Sequence, residues 1–495
     1  MTVAELSAAL RRAADHPATD DSFDIQGALA SMLAEIGYAP ADCGGTIEFR
    51  GLDPIMPSTL RLGGAAALGL VQQSVVAAAL HRDRGGAGQD IAIELAQAIR
   101  RLAPATERRW ELINGHPPVI EDPSVRLVFK FYRTADGREV LPTNLYPRLR
   151  SGMLKLLECH DDRSAMAAAF ARRTAAEWEQ AFEAAGLVLC QVRTLDEFMA
   201  EPVYDYLAAQ PLIEIERIGD APPEPLPPAG AQPLSGVRAL GMGHVIAGAG
   251  CGRSLASLGA DVLNIWRPTE FEQETLYITA NVGTRSSRVD PRSDAGRETI
   301  QALLRDGDIF YANRRAGLLE EFGLDAAAAA AIRPGIVHVT TSTHGAAGPW
   351  ARRPGFDQLA GAVTGMLAFE GSPENAALPP TVIVNDYLVA WLAATGAMAA
   401  LHRRATEGGS WRVHVSLTRV ALWILSLGIF DKAYAQSAAG QPGPHALLDP
   451  MLFTAETPLG RYQGVSETVQ MLGTPRGFTT VLVPRGSCEP QWLPR

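Results

Sequence analysis

The chain has 495 residues, 47% apolar and 20% charged, with a formal net charge of −10. Single hydrophobic cores stop growing near ~250–300 residues, so this length predicts at least two domains of ordinary globular composition. The acidic balance argues against a general affinity for nucleic acid, which relies on a basic surface releasing phosphate counterions.

Lysine occurs only at Lys130, Lys155 and Lys432, so planar arginine forks would hold any anionic ligand. The five cysteines, Cys43, Cys159, Cys190, Cys251 and Cys488, form no CxxC pair and no zinc-type spacing, which fits a reducing compartment. No basic-then-apolar leader opens the chain. The longest strongly apolar run read from the sequence, Ala421 to Phe430, covers about 10 residues where a membrane span needs about 20. The expectation is a cytoplasmic protein without a membrane segment.

In chain order, Leu62 to Leu80 is Ala-rich, apolar and free of proline, which predicts a buried helix; His81 to Gly88 reads as a polar turn. Asp90-Ile-Ala-Ile-Glu-Leu95 follows as a strand or helix start. Val125 to Tyr132 alternates like a strand, Asp136-Gly137 is a turn, and Met166 to Ala185 has helical periodicity. These signals predict a small α+β domain near 118–215 within an N-terminal half covering 1–220. Ala221-Pro-Pro-Glu-Pro-Leu-Pro-Pro228 opens a proline-rich linker over 221–234, extended because its prolines lack amide donors.

From 235 strand and helix alternate, which predicts a Rossmann-like parallel sheet with flanking helices over 235–430 and a C-terminal extension over 431–495. Expected strands are Val237–Leu240, Asp261–Ile265, Ile309–Tyr311 and Ile336–Thr340, with a helix near Cys251–Leu258 stopped by Gly259. Ala399 to Leu417 parallels Ala78 to Leu95 with one extra residue, which suggests an internal duplication of one supersecondary unit.

The glycines of Gly241-Met-Gly243-His-Val-Ile-Ala-Gly248-Ala-Gly250 follow a strand and invite a dinucleotide reading. Ile246 stands where the third glycine of that fingerprint belongs, and Ile265-Trp-Arg-Pro268 offers no acidic ribose ligand, so an NADP reader using Arg267 is a weak alternative. Cys159-His160-Asp-Asp reads as a polar loop, and no metal is expected.

Several segments resemble the class III (CaiB/BaiF) CoA-transferases. They are Pro233-Leu-Ser-Gly-Val-Arg-Ala-Leu, His244-Val-Ile-Ala-Gly-Ala-Gly-Cys-Gly, Asn281-Val-Gly-Thr-Arg-Ser, Asn313-Arg-Arg-Ala-Gly and Gly345-Ala-Ala-Gly-Pro, in that family's order. The N-terminal half is similar to the family's later segments, so the chain looks like a rearranged or partly duplicated version. The resemblance implies an acyl-CoA:carboxylate CoA-transferase with CoA as substrate and no other cofactor. It also implies a homodimer.

By the same resemblance Asp386, in Val382-Ile-Val-Asn-Asp-Tyr-Leu388, is the catalytic carboxylate. It would sit after an apolar strand at a helix start, where desolvation sharpens a nucleophile, and the bland reading makes it a helix N-cap. His244, Gly248, Gly250, Arg267, Asn313 and Arg315 are the CoA contacts that the resemblance implies, with Ala316 replacing the family's usual proline. Counting back from Leu80 places Ala65 at the matching position of the N-terminal repeat, which therefore lacks the nucleophile. Two rivals stand. An acyl-CoA racemase would need a proton-shuttling histidine where Gly355-Phe356-Asp357 has phenylalanine. A non-catalytic CoA-binding scaffold would leave Asp386 without a task.

Overall fold

The computed structural model describes residues 1–118 and 129–494. In the N-terminal half two parallel strands, β1 (Ile47–Arg50) and β2 (Ile91–Glu94), are joined through a 22-residue helix, α1 (Leu62–Asp83). The α1 sequence is mostly Ala, Gly, Leu and Val, and every residue from Leu62 to His81 is buried. A helix apolar on all sides belongs inside a core. By length and composition α1 could cross a membrane, and it lies wholly within the protein. It, rather than Ala421–Phe430, is the longest apolar element; Leu417–Ser426 forms only a short helix.

The main sheet has seven strands: β3 (Glu214–Gly219), β4 (Arg238–Met242), β5 (Asp261–Trp266), β6 (Arg285–Arg288), β7 (Ile309–Ala312), β8 (Val337–Ser342) and β9 (Ser410–Ser416). Their order is β6-β5-β4-β7-β8-β9-β3, all parallel except β3 at the edge. The inner strands read as near-continuous apolar runs because helices cover both faces of a parallel sheet. Three helices matter for the site: α2 (Ala247–Ser257), α3 (Asp357–Val363) and α4 (Asn385–Glu407). Gly259, with φ at +101°, ends the α2 segment and turns the chain into β5, a conformation that glycine adopts without strain. The fold is α/β, a mostly parallel Rossmann-like sheet with flanking helices and smaller sheets beside it.

The edge strand β3 lies upstream of the proline-rich segment yet pairs with β9, so the linker does not separate the two halves in space. The unit β8-α4-β9 repeats the architecture of β1-α1-β2. Val339–Ser342 pairs with Val413–Ser416 as Ile47–Arg50 pairs with Ile91–Glu94. The helices α1 and α4 pack on each other, and a side chain at Gly69 would come within 3.0 Å of Leu388 and 3.3 Å of Trp391.

In the smaller unit a hairpin of Tyr132–Arg133 and Glu139–Leu141 takes Cys190–Gln191 as a third strand. Most of the strand expected at Val125–Tyr132 falls outside the described residues. The helix expected over Met166–Ala185 is two helices, Arg163–Phe170 and Ala175–Ala184. Thr174 and Glu177 form a capping box that restarts the helix, with the Glu177 carboxylate accepting the Thr174 N–H at 2.8 Å. Residues after 431 return to the N-terminal half: Gln470–Met471 pairs with β2, and Gly460–Val465 pairs with Leu112–Ile113.

Candidate active site

The sheet order reverses between β4 and β7, and Met242 and Ala312 pair across that seam. In open α/β sheets ligands bind outside the carboxyl ends of the strands at such a switch point. The two residues that leave it are His244 and Asn313, and they clasp each other. Asn313 Oδ1 accepts the His244 N–H at 3.0 Å, while Asn313 Nδ2 donates to the His244 carbonyl at 2.7 Å. Gly248 is the space this clasp requires, since a Cβ there would lie 2.3 Å from Asn313 Cγ. Gly250 has a different role. It faces α4, where a Cβ would meet Ala390 at 3.0 Å, so this glycine lets two helices approach.

Asp386 is the second residue of α4, one turn before Ala390, and is 6% exposed. The expected strand ahead of it is absent: Val382–Val384 is irregular, and Val382 has φ at +65°. Asp386 is also not the helix cap. Asp357 of α3 fills that role, its Oδ2 accepting the N–H groups of Val384 at 3.1 Å and Asp386 at 2.8 Å. Burial, and then the neighbouring Asp357 carboxylate, hold the pKa of Asp386 well above the usual carboxylate range. Asp357 is also raised, by burial first, against the backbone donors it engages.

The N-terminal half reaches into this crevice through Tyr146. Its hydroxyl donates to Glu272 Oε1 at 2.6 Å, and Glu272 Oε2 accepts the Val245 N–H at 2.7 Å. The Tyr146 ring stacks on Phe356 with centroids 6.0 Å apart and meets the His244 ring edge-on at 6.1 Å. Burial, then Glu272, then the more distant Asp386 raise the Tyr146 hydroxyl well above its ordinary value. Val245, with φ at +58°, and Val382 are β-branched residues in the left-handed region, a strain that concentrates at functional sites.

The expected arginines gather at the same end. Arg267 pairs with Glu270 at 3.1 Å, and the buried Arg314 pairs with the same carboxylate. Burial alone would raise Glu270, but Arg314, His244 and Arg267 outweigh it and bring its pKa down to about 2. Burial, reinforced by Arg314, lowers His244 to about 3, so this ring is neutral at physiological pH. Arg315 donates to the Gly186 carbonyl at 3.2 Å. The structure thus groups His244, Gly248, Arg267, Asn313 and Arg315 at the switch point, with Asp386 on the helix beside it. Sequence reasoning missed Tyr146, Glu272 and Glu270, which lie outside the quoted motifs. Among the described residues no cluster of three or more His, Cys, Asp or Glu side chains is placed to hold a metal ion.

An open parallel sheet with a buried carboxylate beside its switch point defines an α/β protein with an acidic site. A model of CoA-transferase family III matches residues 53–217 and 234–455, and the chain belongs to that family. It is 31% identical over 201 residues to the succinyl-CoA–D-citramalate CoA-transferase of Chloroflexus aurantiacus, covering 38% of this chain and 49% of that one. It is 30% identical over 215 residues to the acetyl-coenzyme A transferase nodX of Hypoxylon pulicicidum, covering 42% of this chain and 36% of that one. The chain thus spans half or less of the length of these curated relatives. A crystal structure of a CaiB/BaiF family protein from Brucella suis is similar at 26% identity and a TM-score of 0.36, over 39% of this chain and 55% of that one.

Proposed function

We propose that this protein is an acyl-CoA:carboxylate CoA-transferase with Asp386 as its nucleophile. The observation that carries the reading is the position of Asp386: buried, raised in basicity and held at the start of α4 by Asp357. A desolvated carboxylate of raised basicity is a better nucleophile than a solvated one. One Asp386 oxygen attacks the thioester carbonyl carbon, the carbon–sulfur bond breaks, and CoA leaves as its thiolate. The product is an acyl-aspartyl anhydride. An acceptor carboxylate then attacks the acyl carbon of that anhydride and frees Asp386. The CoA thiolate opens the resulting free anhydride on the acceptor side, which gives the new thioester and the acid of the donor.

The clasped His244–Asn313 backbone and the arginines Arg267 and Arg315 are the groups we assign to CoA, whose phosphates suit guanidinium forks. The racemase reading loses support from Phe356, which is stacked on Tyr146 and cannot shuttle a proton. The test is an exchange assay with isotopically labelled CoA and acyl-CoA, run beside Asp386→Asn with hydroxylamine present. Wild type should yield a hydroxamate, and Asp386→Asn should bind CoA and yield none. Turnover near wild type in Asp386→Asn would remove the mechanism.

A further inference from the structure

Resting on the transferase reading, we infer that the acyl group Asp386 accepts is flat and apolar, an aryl or arylalkyl acyl without a second carboxylate, and that Tyr146 sets this choice. Phe356, immediately before Asp357, faces the Tyr146 ring with an interplanar angle of 10°. Phe271 meets the same ring edge-on at 6.0 Å and is 40% exposed, the open end of an aromatic wall. Aromatic faces and edges of this kind favour a further ring over a charged group.

The charges around the wall point the same way. The Tyr146 hydroxyl is committed to Glu272, whose side chain is 1% exposed and engaged by backbone N–H groups of Val245 and Gln273. A donor such as succinyl-CoA carries a second carboxylate. Beside this wall it would stand near the buried acids Glu272 and Asp357, while Arg314 is held by Glu270 and Arg267 and Arg315 are taken up by the CoA phosphates assigned to them. Burying a carboxylate without a partner is costly, and like charges at short range add to the cost. An aryl group meets neither penalty.

The selector is built from the N-terminal half. Tyr146 precedes the Pro147–Leu157 helix, and the Leu145 carbonyl accepts from Gln273 Nε2 at 3.1 Å, which ties this segment to the loop that carries Glu272. The N-terminal half, without a nucleophile of its own, thereby contributes a specificity residue to the one centre.

The test uses the full chain with benzoyl-CoA, phenylacetyl-CoA and succinyl-CoA as donors, following thiol release in hydroxylamine over the background of Asp386→Asn. The aryl donors should exceed succinyl-CoA in kcat/KM by about tenfold or more, the scale on which pocket shape and charge discriminate. Tyr146→Ala should bring that ratio towards one, and Tyr146→Phe, which keeps the ring, should preserve the preference. Succinyl-CoA as the best donor, or a ratio unmoved in a folded Tyr146→Ala protein, overturns the inference and leaves the transferase reading standing. No thiol release from any donor, by protein that still binds CoA, overturns both.

Discussion

The Asp357 carboxylate accepts the backbone N–H of Asp386 at 2.8 Å, so one acid of the pair fixes the position of the other while disfavouring its charge. This arrangement costs stability wherever Asp386 is ionised. A carboxyl group whose folded-state pKa is raised binds its proton more tightly in the folded protein than in the unfolded chain. Stability therefore falls as pH rises from the unfolded value of about 3.9 through the higher folded one, and the full penalty remains above it.

Asp386→Asn is accordingly expected to be more stable than wild type at pH 7, with the difference vanishing below about pH 4. Thermal unfolding of both proteins across that range checks the sign. The kcat/KM of wild type should rise with pH, with an inflection above the ordinary carboxylate range.

Ala65 occupies in the N-terminal unit the place of Asp386, and Asp53 there accepts the N–H groups of Gly63 at 3.1 Å and Gly64 at 2.6 Å. Ala65→Asp would bury a second carboxylate beside Asp53, at a cost of several kcal/mol and without creating a second centre. Denaturant midpoints should fall. Hydroxamate formation should remain at one equivalent per chain.

Glu467 lies between three arginines: Arg101 and Arg253 each approach its Oε1 at 3.2 Å, and Arg476 approaches Oε2 at 4.0 Å. Burial alone would raise this acid, but the three guanidiniums outweigh it and lower it. Its contribution to stability is thus present above the unfolded value of about 4.3 and lost as pH falls through the folded one. Glu467→Gln should lose about 3–5 kcal/mol at pH 7, the cost of buried charges left without their partner. Urea unfolding at pH 7 checks the loss.

Gly248→Ala drives a methyl group against Asn313, and overpacking of this kind costs about 1–3 kcal/mol. Because Asn313 holds the His244 backbone, KM for the CoA thioester should rise more than kcat falls. Steady-state kinetics on a folded variant checks the split.

The sequence reading located the central strands, α1 and the α2 stop at Gly259, because long apolar periods and a glycine at a helix end leave local marks; the helix that carries Asp386 was placed by the family resemblance. Strand β3, Glu-Ile-Glu-Arg-Ile-Gly, was not legible: an edge strand with one solvated side tolerates charge and loses its pattern. The apolar run Val382–Val384 misled in the opposite direction, since Asp357 and Gln358 hold it as an irregular turn through contacts from 24 and 27 residues away. Tyr146 and Glu272 meet across 126 residues, and no local pattern encodes such a meeting. The alternative that made Asp386 the cap of α4 arose for the same reason. An acid at a helix start resembles its own cap until a second acid is seen to hold the N–H groups.

The burial of α1 against α4 has a consequence for synthesis. More than 300 residues separate the start of Leu62–Asp83 from that of Asn385–Glu407, so the first helix leaves the ribosome long before its partner exists. At about 5–20 residues per second this interval lasts roughly 15–60 seconds, during which the apolar face of α1 that packs on α4 has no native surface to cover it. The nascent chain is therefore expected to bind holdase chaperones until its second half arrives, and faster elongation should raise the soluble yield.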